Sequence, residues 1–237
     1  MEKKKFKIVM KGSTAEIYIY EDIGEDWFGG LSAKAFSEEM KKIKNADNLH
    51  VYINSPGGNV FDGVSIYNQI KRHNAPVRVE IDGLAASVAS LIAMAGDEIF
   101  MAENAMMMIH KPWGGVFGTA DEMRQYADTL DKVQDTLLDT YVKRSGQPAA
   151  KLKKLLEAET WLNADEALGL NLIDYTTDSK QMAAHVDLSK YHYRNVPKVL
   201  PSAVYTVQPD KIREPFELRK KYTDEIRLRA AQLKDRL

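Results

Sequence analysis

The chain has 237 residues, of which 44% are apolar and 28% charged, with a formal net charge of −1. That length suffices for one α/β core with an appendage, and that balance excludes a disordered chain and supplies no long-range attraction to nucleic acid or to an anionic membrane. Cysteine is absent, which excludes disulfides, thiolate metal sites and a cysteine nucleophile.

The basic start, Met1 to Lys5, precedes an apolar stretch too short for a signal peptide. Phe6–Met10 and Ala15–Tyr20 read as two strands, joined by Lys-Gly-Ser-Thr with the chemistry of a hairpin turn. Phe36, Met40 and Ile43 recur at helical spacing, and a strand over Leu49–Asn54 follows. Ser-Pro-Gly-Gly then leads into a helix from about Val60 to Arg72 and a strand over Val77–Ile81. Asp82-Gly83 and a helix of small residues come next, then a strand over Glu98–Met101. Strands alternating with helices predict repeated βα units on a largely parallel sheet.

The longest apolar run, Leu84 to Gly96, is interrupted by Ser87 and Ser90 and falls short of the ~20 residues needed to cross a bilayer. The expectation is a cytoplasmic protein without a transmembrane helix. From Thr119 to Arg144, Met123, Tyr126, Leu130, Val133, Leu137 and Tyr141 form one apolar stripe on a long helix. Such a stripe predicts an interface. Asn163-Ala-Asp-Glu166 has the form of a capping box, and Leu172–Thr176 supplies a last strand. The core is expected to span 1–179. Residues 180–237 are expected to form an extension, in which Pro197, Pro201, Pro209 and Pro215 mark a linker or a loosely packed arm and Leu218, Tyr222, Ile226, Ala230, Leu233 and Leu237 stripe an amphipathic helix.

Three short stretches carry chemistry. Gly83-Leu-Ala-Ala-Ser87 sets a serine at a strand-to-helix junction, where a turn exposes the hydroxyl; an ordinary helix N-cap fits the same residues. His110 follows the apolar Met106–Ile109 and precedes Pro112 and Gly114, at a point where a sheet edge meets a loop; a core or capping histidine also fits. In Asn54-Ser-Pro-Gly-Gly58, two glycines let backbone N–H groups approach a ligand, as they would in any βα turn.

In that order, Tyr52-Ile-Asn-Ser-Pro-Gly-Gly58, Gly83-Leu-Ala-Ala-Ser87 and Met108-Ile-His110-Lys-Pro112 closely resemble the ClpP family of serine peptidases, over about residues 13 to 177. The resemblance implies a ClpP/crotonase-like α/β fold of ββα units, with the long helix as the handle that interlocks two stacked homo-oligomeric rings. It makes Ser87 the nucleophile, His110 the general base, and the Gly58 and Val88 N–H groups the oxyanion donors. It implies a polypeptide substrate and no metal or organic cofactor. At the family's aspartate this chain has Glu159, in Glu157-Ala-Glu159-Thr160-Trp161-Leu, with Asp165 as the other candidate acid. The short start, the Glu-Thr-Trp-Leu run and the extended C-terminus resemble the branch encoded by tailed phages and prophages, which implies a capsid or scaffold protein as partner; ClpP proper implies an unfoldase ATPase. A crotonase-type acyl-CoA enzyme and a catalytically idle structural ring are the rival readings.

Overall fold

The computed structural model describes residues 6–25, 30–179, 186, 188 and 191–198. The helix expected over Leu218–Leu237, and Pro201, Pro209 and Pro215 before it, lie outside the described residues.

Strands β1 (Phe6–Lys11) and β2 (Thr14–Ile19) form the expected hairpin, antiparallel in register from Phe6↔Ile19 to Lys11↔Thr14. Helix α1 (Ala33–Lys42) follows, capped by the Ser32 side chain, and then β3 (Asn48–Ser55), α2 (Val60–Lys71) and β4 (Val77–Ala86). The short α3 (Val88–Ala93), β5 (Glu98–Ala102) and β6 (Met106–Ile109) lead into the long α4 (Ala120–Ser145). Helix α5 (Ala149–Ala158), β7 (Thr160–Leu162), α6 (Ala164–Gly169) and β8 (Tyr175–Thr177) complete the described elements.

The main sheet runs β1-β2-β3-β4-β5-β8, and every pairing after the hairpin is parallel. Alternate residues of its strands, among them Ile17, Ile19, Val51, Ile53, Val79, Ile81, Ile99 and Met101, are buried with Phe36, Ile66, Ile70, Leu91 and Ile92 of the helices in one core. The residues between them form a polar and aromatic row on the sheet. Within it Tyr18 stacks on Tyr52 at 4.8 Å, and His50 lies 3.5 Å from Glu80.

Strand β4 is longer than expected, because Asp82-Gly83 does not end it. Its first half pairs with β5 from Arg78↔Glu98 to Ile81↔Met101, and its second half finds a new parallel partner in β6, from Leu84↔Met106 to Ala86↔Met108. The backbone groups that β5 no longer reaches are thereby satisfied, so the strand continues through the glycine. β6 in turn carries β7 antiparallel. This fork turns the end of β4 toward a small side sheet.

The stripe on α4 divides. A capping box at Thr119 and Glu122 starts the helix, and Gly146 at φ +66° ends it. Leu137 and Tyr141 are buried in the core, with Val133 packed against it, while Met123 remains 47% exposed. The apolar stripe is therefore open to an interface only in the first half of this helix; toward the C-terminus it belongs to the protomer's own core.

Candidate active site

Register alone assembles the site. Ala86 is paired with Met108, so Ser87, the next residue, donates its backbone N–H to the Met108 carbonyl at 2.9 Å, and His110 lies two residues further on, just past the end of β6. On the other side of β6, Ile109 pairs with Thr160; one step on in that antiparallel register, Glu159 falls opposite His110. Three residues far apart in sequence are thus set by two strand pairings that meet at one strand end.

Ser87 occupies the cap position of α3 but does not act as a cap. Its backbone is in the left-handed region, with φ 55° and ψ −130°, and its side chain makes no capping hydrogen bond. The Oγ instead lies 2.8 Å from His110 Nε2. A β-carbon in that region is strained, and the surroundings hold it there. Ser90 Oγ donates to the Ser87 carbonyl at 2.6 Å, and the Tyr141 hydroxyl of α4 lies 2.8 Å from that same Oγ. Neither Ser90 nor Tyr141 is a site candidate in the sequence, since a serine and a tyrosine 51 residues apart give no sign of pairing before the fold joins them.

The glycine turn packs directly on the serine. A β-carbon at Gly57 would lie 2.8 Å from Ser87 Cβ and 2.6 Å from the Ala86 carbonyl oxygen, so only glycine fits at this φ of +93°. Ile23 pairs with Gly58 as an isolated bridge, donating to the Gly57 carbonyl and accepting from the Asn59 N–H, each at 2.8 Å. That leaves the Gly58 N–H on the side away from Ile23. Val88 N–H lies in the first turn of α3, where no helical carbonyl precedes it.

Burial pushes the His110 imidazole down from its ordinary 6.5 to about 4; the Glu159 carboxylate opposes that shift, and the Arg194 guanidinium adds to it. The ring is therefore neutral at pH 7, with an unprotonated nitrogen to offer. Glu159 is 3% exposed and also in the left-handed region, at φ 52°. Its carboxylate accepts the Asn195 N–H at 2.7 Å and lies 3.8 Å from Arg194 Nε. Asp165, by contrast, is exposed in the first turn of α6 and makes no contact with the site.

What lies across this site is not legible in the sequence. Residues 191–198, expected as linker, pack against it: the Tyr193 ring is edge-on to His110 at 5.5 Å, and its hydroxyl donates to the Pro56 carbonyl. Burial raises the Tyr193 pKa.

A serine turned away from its capping role and onto a buried neutral histidine, beside a glycine turn, is an arrangement for nucleophilic chemistry. In comparison with known families, the Clp protease model matches residues 13–180. The chain belongs to the Clp protease family. Among solved structures it is similar to a ClpP1 mutant from Listeria monocytogenes, at 23% identity and a TM-score of 0.60, over 71% of this chain and 92% of that one. The α/β fold is thus ClpP/crotonase-like, as the three motifs implied. Among the described residues, no helix is long and apolar enough to cross a membrane.

Proposed function

We propose that this Clp-family chain is a serine endopeptidase with Ser87 as nucleophile, His110 as general base and Glu159 as the acid that orients the imidazole. The observation that carries the reading is the 2.8 Å contact between Ser87 Oγ and His110 Nε2 at a left-handed, uncapped turn. His110 takes the Ser87 proton as Oγ attacks a peptide carbonyl. The oxyanion is received by the Gly58 and Val88 N–H groups, and His110 returns the proton to the leaving amine. Water, activated by the same imidazole, then releases the acyl group. No metal or organic cofactor enters these steps.

The same reading places the protein in the cytoplasm as homo-oligomeric stacked rings acting on polypeptides. The Glu159-Thr-Trp-Leu162 run supports a place in the phage and prophage branch, with a capsid or scaffold polypeptide as natural substrate. The acid fits Glu159 better than Asp165, since only Glu159 is buried beside His110.

The test is peptide hydrolysis by a panel of single variants. Ser87→Ala and His110→Ala should each lower kcat by about 10⁶, and the double variant should be scarcely worse, because such residues act as a unit. Glu159→Gln should lower it by about 10³–10⁴, and Asp165→Asn should leave it near wild type. Substantial turnover by Ser87→Ala, or turnover of a CoA thioester by the wild type, would refute the peptidase reading.

A further inference from the structure

One short segment touches the base, the acid and the start of the glycine turn. Tyr193 meets the His110 ring edge-on, and it also packs edge-on against Trp161 at 5.8 Å and stacks on Tyr191 at 5.3 Å. Its hydroxyl bonds the carbonyl of Pro56, which opens the glycine turn. Arg194 reaches the Glu157 carbonyl at 3.3 Å and the Glu159 carboxylate. Asn195 bonds Glu159 through its backbone N–H, and its side-chain amide donates to the Ala158 carbonyl at 2.6 Å. Before the site, Trp113 meets His192 edge-on at 5.6 Å.

The apolar floor under this segment is a second, separate hydrophobic cluster. Leu84 and Ala86 of β4 and Met106 and Met108 of β6 bury one face of the fork, with Val186 and Leu188 covering them and Trp161, Tyr193 and Val196 packed at the margin. This face lies beside Ser87, on the strands that position it. The C-terminal segment, not a helix of the core, supplies the side chains that cover it.

We propose that Tyr191–Val196 is a peptide ligand held in cis in the active-site groove, and that its occupancy keeps the Ser87–His110 pair closed to external polypeptide until it is displaced. The inference rests on Ser87 being the nucleophile. The segment meets the site through the Tyr193 ring on His110 and the Asn195 N–H on Glu159, neither of which is a carbonyl to attack, so it plugs the groove rather than serving as its substrate. It also reports what the groove accepts: a peptide with an aromatic side chain against His110 and Trp161 and, two residues later, an N–H that pairs with the Glu159 carboxylate. Tethering gives the plug an effective concentration near the millimolar range, so a free peptide must compete against it or a partner must draw the C-terminal segment away.

The test measures how fast a fluorophosphonate labels Ser87 in the full chain. Tyr193→Ala should be labelled at least tenfold faster than wild type, and Tyr193→Phe, which keeps the ring and loses only the Pro56 bond, should lie between. A residue with a merely structural role would slow labelling when removed. Equal or slower labelling of a folded Tyr193→Ala chain, judged by its circular dichroism, overturns the proposal. A second measurement needs no substitution in the segment: in Ser87→Ala, the Asn195 amide should exchange with solvent deuterium at least a hundredfold more slowly than an unstructured amide. Exchange at the unstructured rate overturns the proposal even if Tyr193→Ala does not fold. If no chain is labelled, the nucleophile reading fails instead, and the Asn195 amide decides on the plug by itself.

Discussion

A neutral imidazole buried beside a serine has a measurable consequence for stability. His110 is held at about 4, below its ordinary 6.5, chiefly by burial. The unfolded chain therefore binds a proton at this residue as pH falls through 6.5, while the folded chain does not until about 4. The sign follows: the stabilisation is fully present above 6.5 and is lost as pH falls through that window toward 4. By pH 5 the loss from this one group should reach roughly 2 kcal/mol. Urea unfolding of wild type and His110→Gln at pH 7.5 and 5 isolates it, because groups common to both chains cancel. Equal losses in the two chains would mean that His110 is not buried as a neutral ring. The residues themselves were legible in sequence for a chemical reason. A serine at a strand end, a histidine after an apolar strand and a double glycine are each weak signals, but their order is specific. Glu159 was harder to read, because what distinguishes it from Asp165 is burial at a left-handed position, set by the β6–β7 register rather than by its neighbours.

Between elements, the contact that fastens the nucleophile's turn to the long helix is a chain of two hydroxyls. Ser90 has a single O–H, which is donated to the Ser87 carbonyl, so the buried Tyr141 hydroxyl must donate to Ser90 Oγ. Burial raises the Tyr141 pKa to about 12, consistent with a phenol that stays protonated and donating. The two truncations should then differ. Tyr141→Phe removes a donor from an oxygen that keeps its own bond, and should cost about 1 kcal/mol. Ser90→Ala strands the Tyr141 O–H in the core and leaves the Ser87 carbonyl with the Ser90 backbone N–H alone, and should cost about 1–3 kcal/mol more. Denaturant midpoints of the two variants check the ranking, and a Tyr141→Phe chain less stable than Ser90→Ala would reverse the donor assignment. Elements with strong periodicity, such as α2 and α4, were readable within a residue or so of their ends. The second half of β4 and all of β7 were not, since Leu84–Ala86 and Thr160–Leu162 become strands only by pairing with β6, and that is a property of the fold rather than of either tripeptide. Where the segment over the site packs was not legible for a related reason: its prolines and charges give the composition of a linker or a loose arm, while the aromatic Tyr191 and Tyr193 find partners only after the fork has formed.

For the whole molecule, the divided stripe on α4 says which surface remains for assembly. The helix has 26 residues, so it is about 39 Å long, and only its final turns are anchored by Leu137, Leu138 and Tyr141. The first half projects with Met123 exposed and Leu130 half-buried, and the loop before it leaves Trp113 and Phe117 at 62% and 71% exposure. Large apolar side chains gathered this way at one end of a helix mark an interface, and a second copy of the same helix is a self-complementary partner for it. Substituting Met123 and Leu130 together by Asp should therefore split the assembly while leaving each protomer folded. Val133 is a poorer choice, because it packs against the protomer's own core, and a charge there would unfold as well as dissociate. Native mass measurement reads the outcome, with circular dichroism as the control for folding. Peptide hydrolysis should fall with dissociation: Tyr141 and Ser90 tie the anchored end of the same helix to the Ser87 carbonyl, and a helix released at its projecting end loses part of what holds that geometry. An unchanged mass for the doubly substituted chain would remove α4 as the assembly surface.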